Sequence, residues 1–120
     1  MLDKTTAEFV VAHENEETSK LLLSAARYPD VDMKRAAAAI EARRKVKHKI
    51  SLWYGHPAIS YPYSLAVEQC SSQATALYKA DIAASGEHRT LLDMTGGLGV
   101  DSSFFAGKFD QVPYIERSDL

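Results

Sequence analysis

The sequence predicts an α/β chain: a helical N-terminal region, then the truncated start of a second domain with two parallel strands. Three observations carry this. The segment Leu91-Leu92-Asp93-Met94-Thr95-Gly96-Gly97-Leu98-Gly99-Val100-Asp101 reads as a buried strand ending in an acid, a glycine-rich turn and the start of a helix. Gln111 to Glu116 reads as a second short strand, also ending in an acid. Before Thr90 the apolar residues recur at helical spacing. Strand, glycine turn, helix and strand make the opening of a Rossmann-like domain, and the sequence ends soon after it.

The elements follow in order. Residues 5–13 place Phe9, Val10 and His13 at helical spacing, and residues 15–27 do the same with Leu21, Leu22, Ala25 and Ala26. Asn15 suits the cap of that second helix, and Tyr28-Pro29-Asp30 ends it, because the residue before a proline is pushed out of the helical region. Asp32 suits the cap of a third helix over 33–50. Met33, Ala36, Ala37 and Ile40 line its first half, and Arg43, Arg44, Lys45, Lys47, His48 and Lys49 surround its second.

Residues 51–63 hold Trp53, Tyr54, Tyr61 and Tyr63 among Gly55, Pro57 and Pro62, which argues for a packed connector without regular structure. From Ser64 as cap, one long helix is expected over 65–84. Ala66, Cys70, Ala74, Leu77, Ala80 and Ala84 form its buried stripe, and Ser85-Gly86 closes it in the left-handed conformation. The first strand is Thr90 to Met94, a helix follows over 101–106, and the second strand is Gln111 to Glu116. The expected domains are therefore 1–63, helical with an aromatic connector, and 64–120, the incomplete Rossmann-like start.

The net charge of −2 names no polyanionic or membrane partner, but its distribution is uneven. Residues 1–32 hold seven acids and three bases, and residues 33–50 hold seven bases and one acid. The basic run can meet RNA phosphates or be neutralised by the acidic N-terminus. A single cysteine, Cys70, excludes an internal disulfide and any multi-cysteine metal site, and it reads as a small core residue. The four histidines, His13, His48, His56 and His88, lack ligand spacing, so no metal is expected. No apolar run is long enough for a membrane span and the N-terminus lacks signal-peptide character, which makes the cytoplasm the expected location.

The glycine turn does its chemistry with backbone. Gly97 and Gly99 allow a sharp turn with no side chain between its amides and a ligand, and the following helix points free N–H groups the same way. Such a turn suits a phosphate, a carboxylate or a ribose. Two residues choose among ligands. Asp93, four residues before Gly97, repels a pyrophosphate and attracts the ammonium and sulfonium of S-adenosylmethionine. Ser102 stands where the third glycine of the dinucleotide motif usually packs. Glu116, 17 residues after Gly99, sits near the distance at which an acid grips ribose hydroxyls.

With these residues the chain resembles the class I S-adenosylmethionine-dependent methyltransferases. More narrowly, it resembles the N-terminal part of a Bacteroidetes group of methyltransferase-like proteins with a THUMP-like domain. Ile40 to Trp53, Glu68 to Ser72 with Ala76 to Ala80, and Asp93 to Asp101 with Tyr114 to Arg117 carry the likeness. The resemblance implies a methyltransferase with S-adenosyl-L-methionine as cofactor. It puts Asp93, Gly97 and Gly99 around the methionine part and Glu116 on the ribose. The full candidate set is Asp93, Thr95, Gly96, Gly97, Gly99, Asp101 and Glu116, with Gln69 and Ser72 from the preceding helix.

RNA as methyl acceptor is implied by the THUMP-like likeness alone. The acceptor loop lies beyond this sequence, so no catalytic residue is named, and the 120 residues alone are expected to be inactive. Pro113 departs from the pattern, because it removes a ladder donor from an expected internal strand. Two other readings stay open: a non-catalytic helical interaction module or remnant, and a nicotinamide-dependent Rossmann enzyme.

Overall fold

The computed structural model describes residues 2–56, 59, 61 and 64–117; Pro57, Pro62 and Tyr63 of the expected connector lie outside the described residues. The chain divides into two compact units, Met1–Glu68 and Gln69–Leu120. The helices are α1 Lys4–Ala12, α2 Thr18–Leu23, a 3-10 turn Ala25–Arg27, α3 Met33–Lys49, α4 Ser51–Tyr54, α5 Ser64–Gln69, α6 Gln73–Ala83 and α7 Val100–Phe105.

The first unit is built on α3. Its cap is the one the sequence indicates: Asp32 accepts from the Arg35 amide at 3.1 Å. Asp3 caps α1 in the same way, accepting from the Thr6 amide at 2.9 Å and from its hydroxyl at 2.7 Å. The buried Thr6 hydroxyl also accepts from the Asp32 amide at 3.3 Å, so the starts of α1 and α3 are tied together. Between them lie Phe9, Val10, Leu21, Met33, Ala36, Ala39 and Ile40. The Phe9 ring stacks on His13 at 4.0 Å and meets the edge of Tyr28 at 4.8 Å.

The basic half of α3 is occupied within its own unit. Arg43 pairs with Glu14 at 2.7 Å, the two side chains being only 15% and 10% exposed. Tyr54 also donates to Glu14, and the Arg43 guanidinium lies 4.5 Å from the Tyr54 ring centre. Arg44 donates to the Glu14 carbonyl at 2.7 Å and to that of Glu16. Lys45 pairs with Glu68, and Lys49 donates to the Val67 and Glu68 carbonyls at the end of α5, where a cation also complements the helix dipole. The acidic N-terminus and α5 together engage Arg43, Arg44, Lys45 and Lys49.

Five expected helical features change. The helix over 15–27 is two pieces, α2 and the 3-10 turn, because the Ser24 hydroxyl bonds back to the Leu21 carbonyl at 2.9 Å and the chain tightens there. Glu17, rather than Asn15, precedes α2. The connector begins with a regular turn, α4, since its glycine and prolines come only after Tyr54. The helix over 65–84 breaks at residues 70–72: the Ser72 hydroxyl accepts from the Thr75 amide at 3.2 Å and starts α6 afresh. That restart changes the buried face. Ala76 and Ala80 are buried, Cys70 is half-buried, and Leu77 is 42% exposed. Positive φ occurs among the described residues at Gly97 and Gly99, and α6 ends on a right-handed Ala84 rather than a left-handed Gly86.

The second unit overturns the expected sheet. Among the described residues there is no strand; the segments 90–93 and 111–114 meet through two isolated parallel bridges, Thr90 to Gln111 and Asp93 to Tyr114. The amides of Leu91 and Asp93 donate to Gln111 and Pro113 at 3.1 and 3.0 Å, and Ile115 donates to Asp93 at 2.8 Å. In this parallel register the missing member is an amide at 113 donating to Leu91. Proline has none, so the ladder breaks between the bridges and neither segment qualifies as a strand. The α/β assignment with two parallel strands is therefore replaced by a helical one. Ala80, Phe105 and Phe109 form the small core of this unit, with Leu91 and Val112 against it.

Two outcomes follow. Burial pushes the Glu14 carboxyl up, but hydrogen bonds from Tyr54 and Arg43 and the charges of Arg43 and Lys47 outweigh this and hold it below its ordinary 4.5. A lowered folded value gives stability that is complete above about pH 5 and lost as the pH falls through it. Glu14→Gln flattens that acid limb, and Glu14→Ala, which strands Arg43, costs about 2–4 kcal/mol in urea unfolding. For Pro113→Val, hydrogen exchange shows a protected new amide at 113; exchange at the rate of an open loop contradicts the register.

Candidate functional site

The glycine turn is organised by two carboxylates. Asp93 ends the first extended segment and turns back on its own chain, accepting from the Thr95 amide at 3.1 Å. Its second oxygen accepts from Ser102 on α7 at 2.7 Å. Glu116 ends the second extended segment and accepts from the Gly97 amide at 2.7 Å. The turn closes on itself through Gly99 N to Gly96 O at 2.7 Å and is tied to its neighbour through Gly96 N to Ile115 O at 2.9 Å.

The glycines are required for different reasons. Gly97 and Gly99 have φ of +52° and +76°, a region that side chains rarely enter. Nothing lies within 4 Å of where a Cβ on Gly99 would stand, so the turn has open space on that side. At Gly96 the constraint is steric: a Cβ would stand 2.1 Å from Cδ2 of Tyr114, whose ring lies against the glycine.

A second polar cluster sits just beyond the turn. Asp101, in the first turn of α7, accepts from Ser71 at 2.9 Å and from Lys79 at 2.8 Å on the same oxygen, Oδ2. Lys79 also donates to Ser71 at 2.9 Å, which closes a triangle of three side chains. The other Asp101 oxygen, Oδ1, is buried and has no hydrogen-bond partner among the described residues. A buried acceptor without a donor costs about 1–3 kcal/mol, so this oxygen is poised to gain from one.

Thus Asp93, Thr95, Gly96, Gly97, Gly99, Asp101 and Glu116 fall on one turn and its flanks. The two helical candidates behave differently. Ser72 is spent as the cap of α6, and Gln69 is exposed at the end of α5. The side chains that reach Asp101 are Ser71 and Lys79. The break before α6 puts Ser71 outside the helix and sets the phase of Lys79, and a helix read as continuous over 65–84 hides both. Among the described residues no group of histidine, cysteine or acid side chains is arranged to hold a metal ion, and no helix is long and apolar enough to cross a membrane.

No family model and no curated protein matches the chain. Among solved structures it is similar to the crystal structure of a "putative methyltransferase" from Porphyromonas gingivalis W83, with a TM-score of 0.76 and 28% sequence identity over 99% of this chain. The chain spans about 30% of the length of that protein.

The two kinds of glycine constraint separate in unfolding experiments. Gly99→Ala costs about 1–2 kcal/mol from backbone strain alone. Gly96→Ala is destabilising beside Tyr114 but close to neutral in a Tyr114→Ala background. An equal cost in both backgrounds rules out the ring as its cause.

Proposed function

We propose that the chain is part of an S-adenosylmethionine-dependent methyltransferase and that the glycine turn binds the cofactor. One observation carries the reading: the turn's own carboxylates occupy the amides that a phosphate would need. Asp93 holds Thr95 N–H and Glu116 holds Gly97 N–H. A pyrophosphate brought to this turn meets two negative charges and amides already engaged. A ligand with cationic and hydroxyl groups meets acceptors instead. This favours the methyltransferase cofactor over a nicotinamide dinucleotide, and the similarity to the Porphyromonas protein supports it independently.

The residues present fit that cofactor. Asp93 is an anion for the methionine end, Glu116 an acceptor pair for ribose hydroxyls, and the orphaned Asp101 Oδ1 an acceptor for a further donor. When bound, the cofactor supplies a methyl group on positively charged sulfur; the protein contributes position and electrostatics. Ser102 and the Thr95 amide fix the Asp93 carboxylate in one orientation, so no ordering of that side chain remains for binding. Glu116 moves from the Gly97 amide to the ribose or shares its two oxygens between them.

RNA is carried forward as acceptor on the resemblance alone. The basic run of α3 gives it no support, because Arg43, Arg44, Lys45 and Lys49 are engaged within the first unit.

Calorimetric titration tests the reading. The chain binds S-adenosylhomocysteine and not NAD, and both Asp93→Asn and Glu116→Gln weaken binding at least about ten-fold, the scale of one lost charge-assisted bond. Unchanged affinity in both variants excludes the glycine turn as the site.

A further inference from the structure

Tyr114 belongs to no part of the candidate set, yet it is built into the turn. In an extended segment residues two apart share a face, which puts Tyr114 and Glu116 on the same side. Both address the turn at consecutive residues: the Tyr114 ring lies on Gly96, and the Glu116 carboxylate holds the Gly97 amide. One part of the ring packs on the glycine; the side chain as a whole is 57% exposed. The backbone of Asp93, at the end of the paired segment, bridges to Tyr114, and the Asp93 carboxylate is held at the same turn by Thr95 and Ser102. An accessible aromatic ring thus shares one backbone turn with two carboxylates.

That combination selects for positive charge. The face of an aromatic ring carries partial negative charge and attracts cations, above all those whose charge is spread over carbon substituents, as in quaternary ammonium groups. A sulfonium has the same character, and the thioether left after methyl transfer has none. Resting on the cofactor reading of the turn, we infer that Tyr114 is a specificity-determining residue: its ring contacts the sulfonium and favours the charged cofactor over the neutral product.

The test compares two ligands that differ by one methyl group and one charge. S-adenosylmethionine and S-adenosylhomocysteine are titrated into the wild-type chain, Tyr114→Phe, Tyr114→Leu and a chain with pentafluorophenylalanine at 114. The last keeps the ring shape and removes its negative face, so it reports on charge even if the leucine variant folds poorly. Tyr114→Phe keeps the ratio of the two affinities within about two-fold. The leucine and fluorinated variants weaken S-adenosylmethionine by about three- to thirty-fold and leave S-adenosylhomocysteine within about two-fold. Equal weakening of both ligands, or of neither, overturns the role of Tyr114 and leaves the cofactor reading standing. Failure of the wild-type chain to bind either ligand overturns both.

Discussion

The second unit depends on the bond between the Glu116 carboxylate and the Gly97 amide. The two extended segments share only isolated bridges, so regular pairing does not fix their register as it does within a sheet. The carboxylate adds a charge-assisted contact at the far end of the second segment, where it meets the tightest part of the turn. Asp93 does the equivalent at the end of the first segment, through Thr95 and Ser102. The same two acids that hold the backbone also set its electrostatic character. A turn that in other settings offers bare amides to a phosphate here arrives with its amides already paired to anions.

The first unit solves a different problem. Its longest helix carries seven bases in 17 residues, at a density that repels itself. The opposing charges come from the acidic stretch before it and from α5 after it. Glu14 is the centre of this arrangement, with Arg43 and Tyr54 on its carboxylate and Arg44 on its carbonyl. A cluster so little exposed holds the unit together only while every partner is present, which makes it a structural device.

Some of this was legible in the sequence, for reasons tied to particular residues. Asp32 before an apolar-periodic run announces a cap, and the structure has it. Gly97 and Gly99 stand where the turn needs positive φ, and both have it. Other features depend on tertiary choices. Ser72 can sit inside a helix or start one, and its bond to Thr75 decides for the start; that choice brings Ser71 and Lys79 to Asp101. Pro113 was visible as a lost donor, but its consequence rests on the register. Its nitrogen falls where the Leu91 carbonyl needs a partner, so one residue turns two expected strands into two bridges. Tyr114 carries part of the family likeness, but its place against the turn comes from the space that Gly96 leaves for its ring.

The central claim is that the carboxylate-held turn accepts a cationic, hydroxyl-bearing ligand and refuses a phosphate. The most direct measurement is a pair of amide-resolved NMR titrations of the chain, one with S-adenosylhomocysteine and one with ADP. The account predicts that the amides of Thr95, Gly96, Gly97 and Gly99 shift and saturate with the first ligand and stay in place with the second. Saturating shifts at those amides with ADP, or shifts with S-adenosylhomocysteine confined to other residues, contradict it.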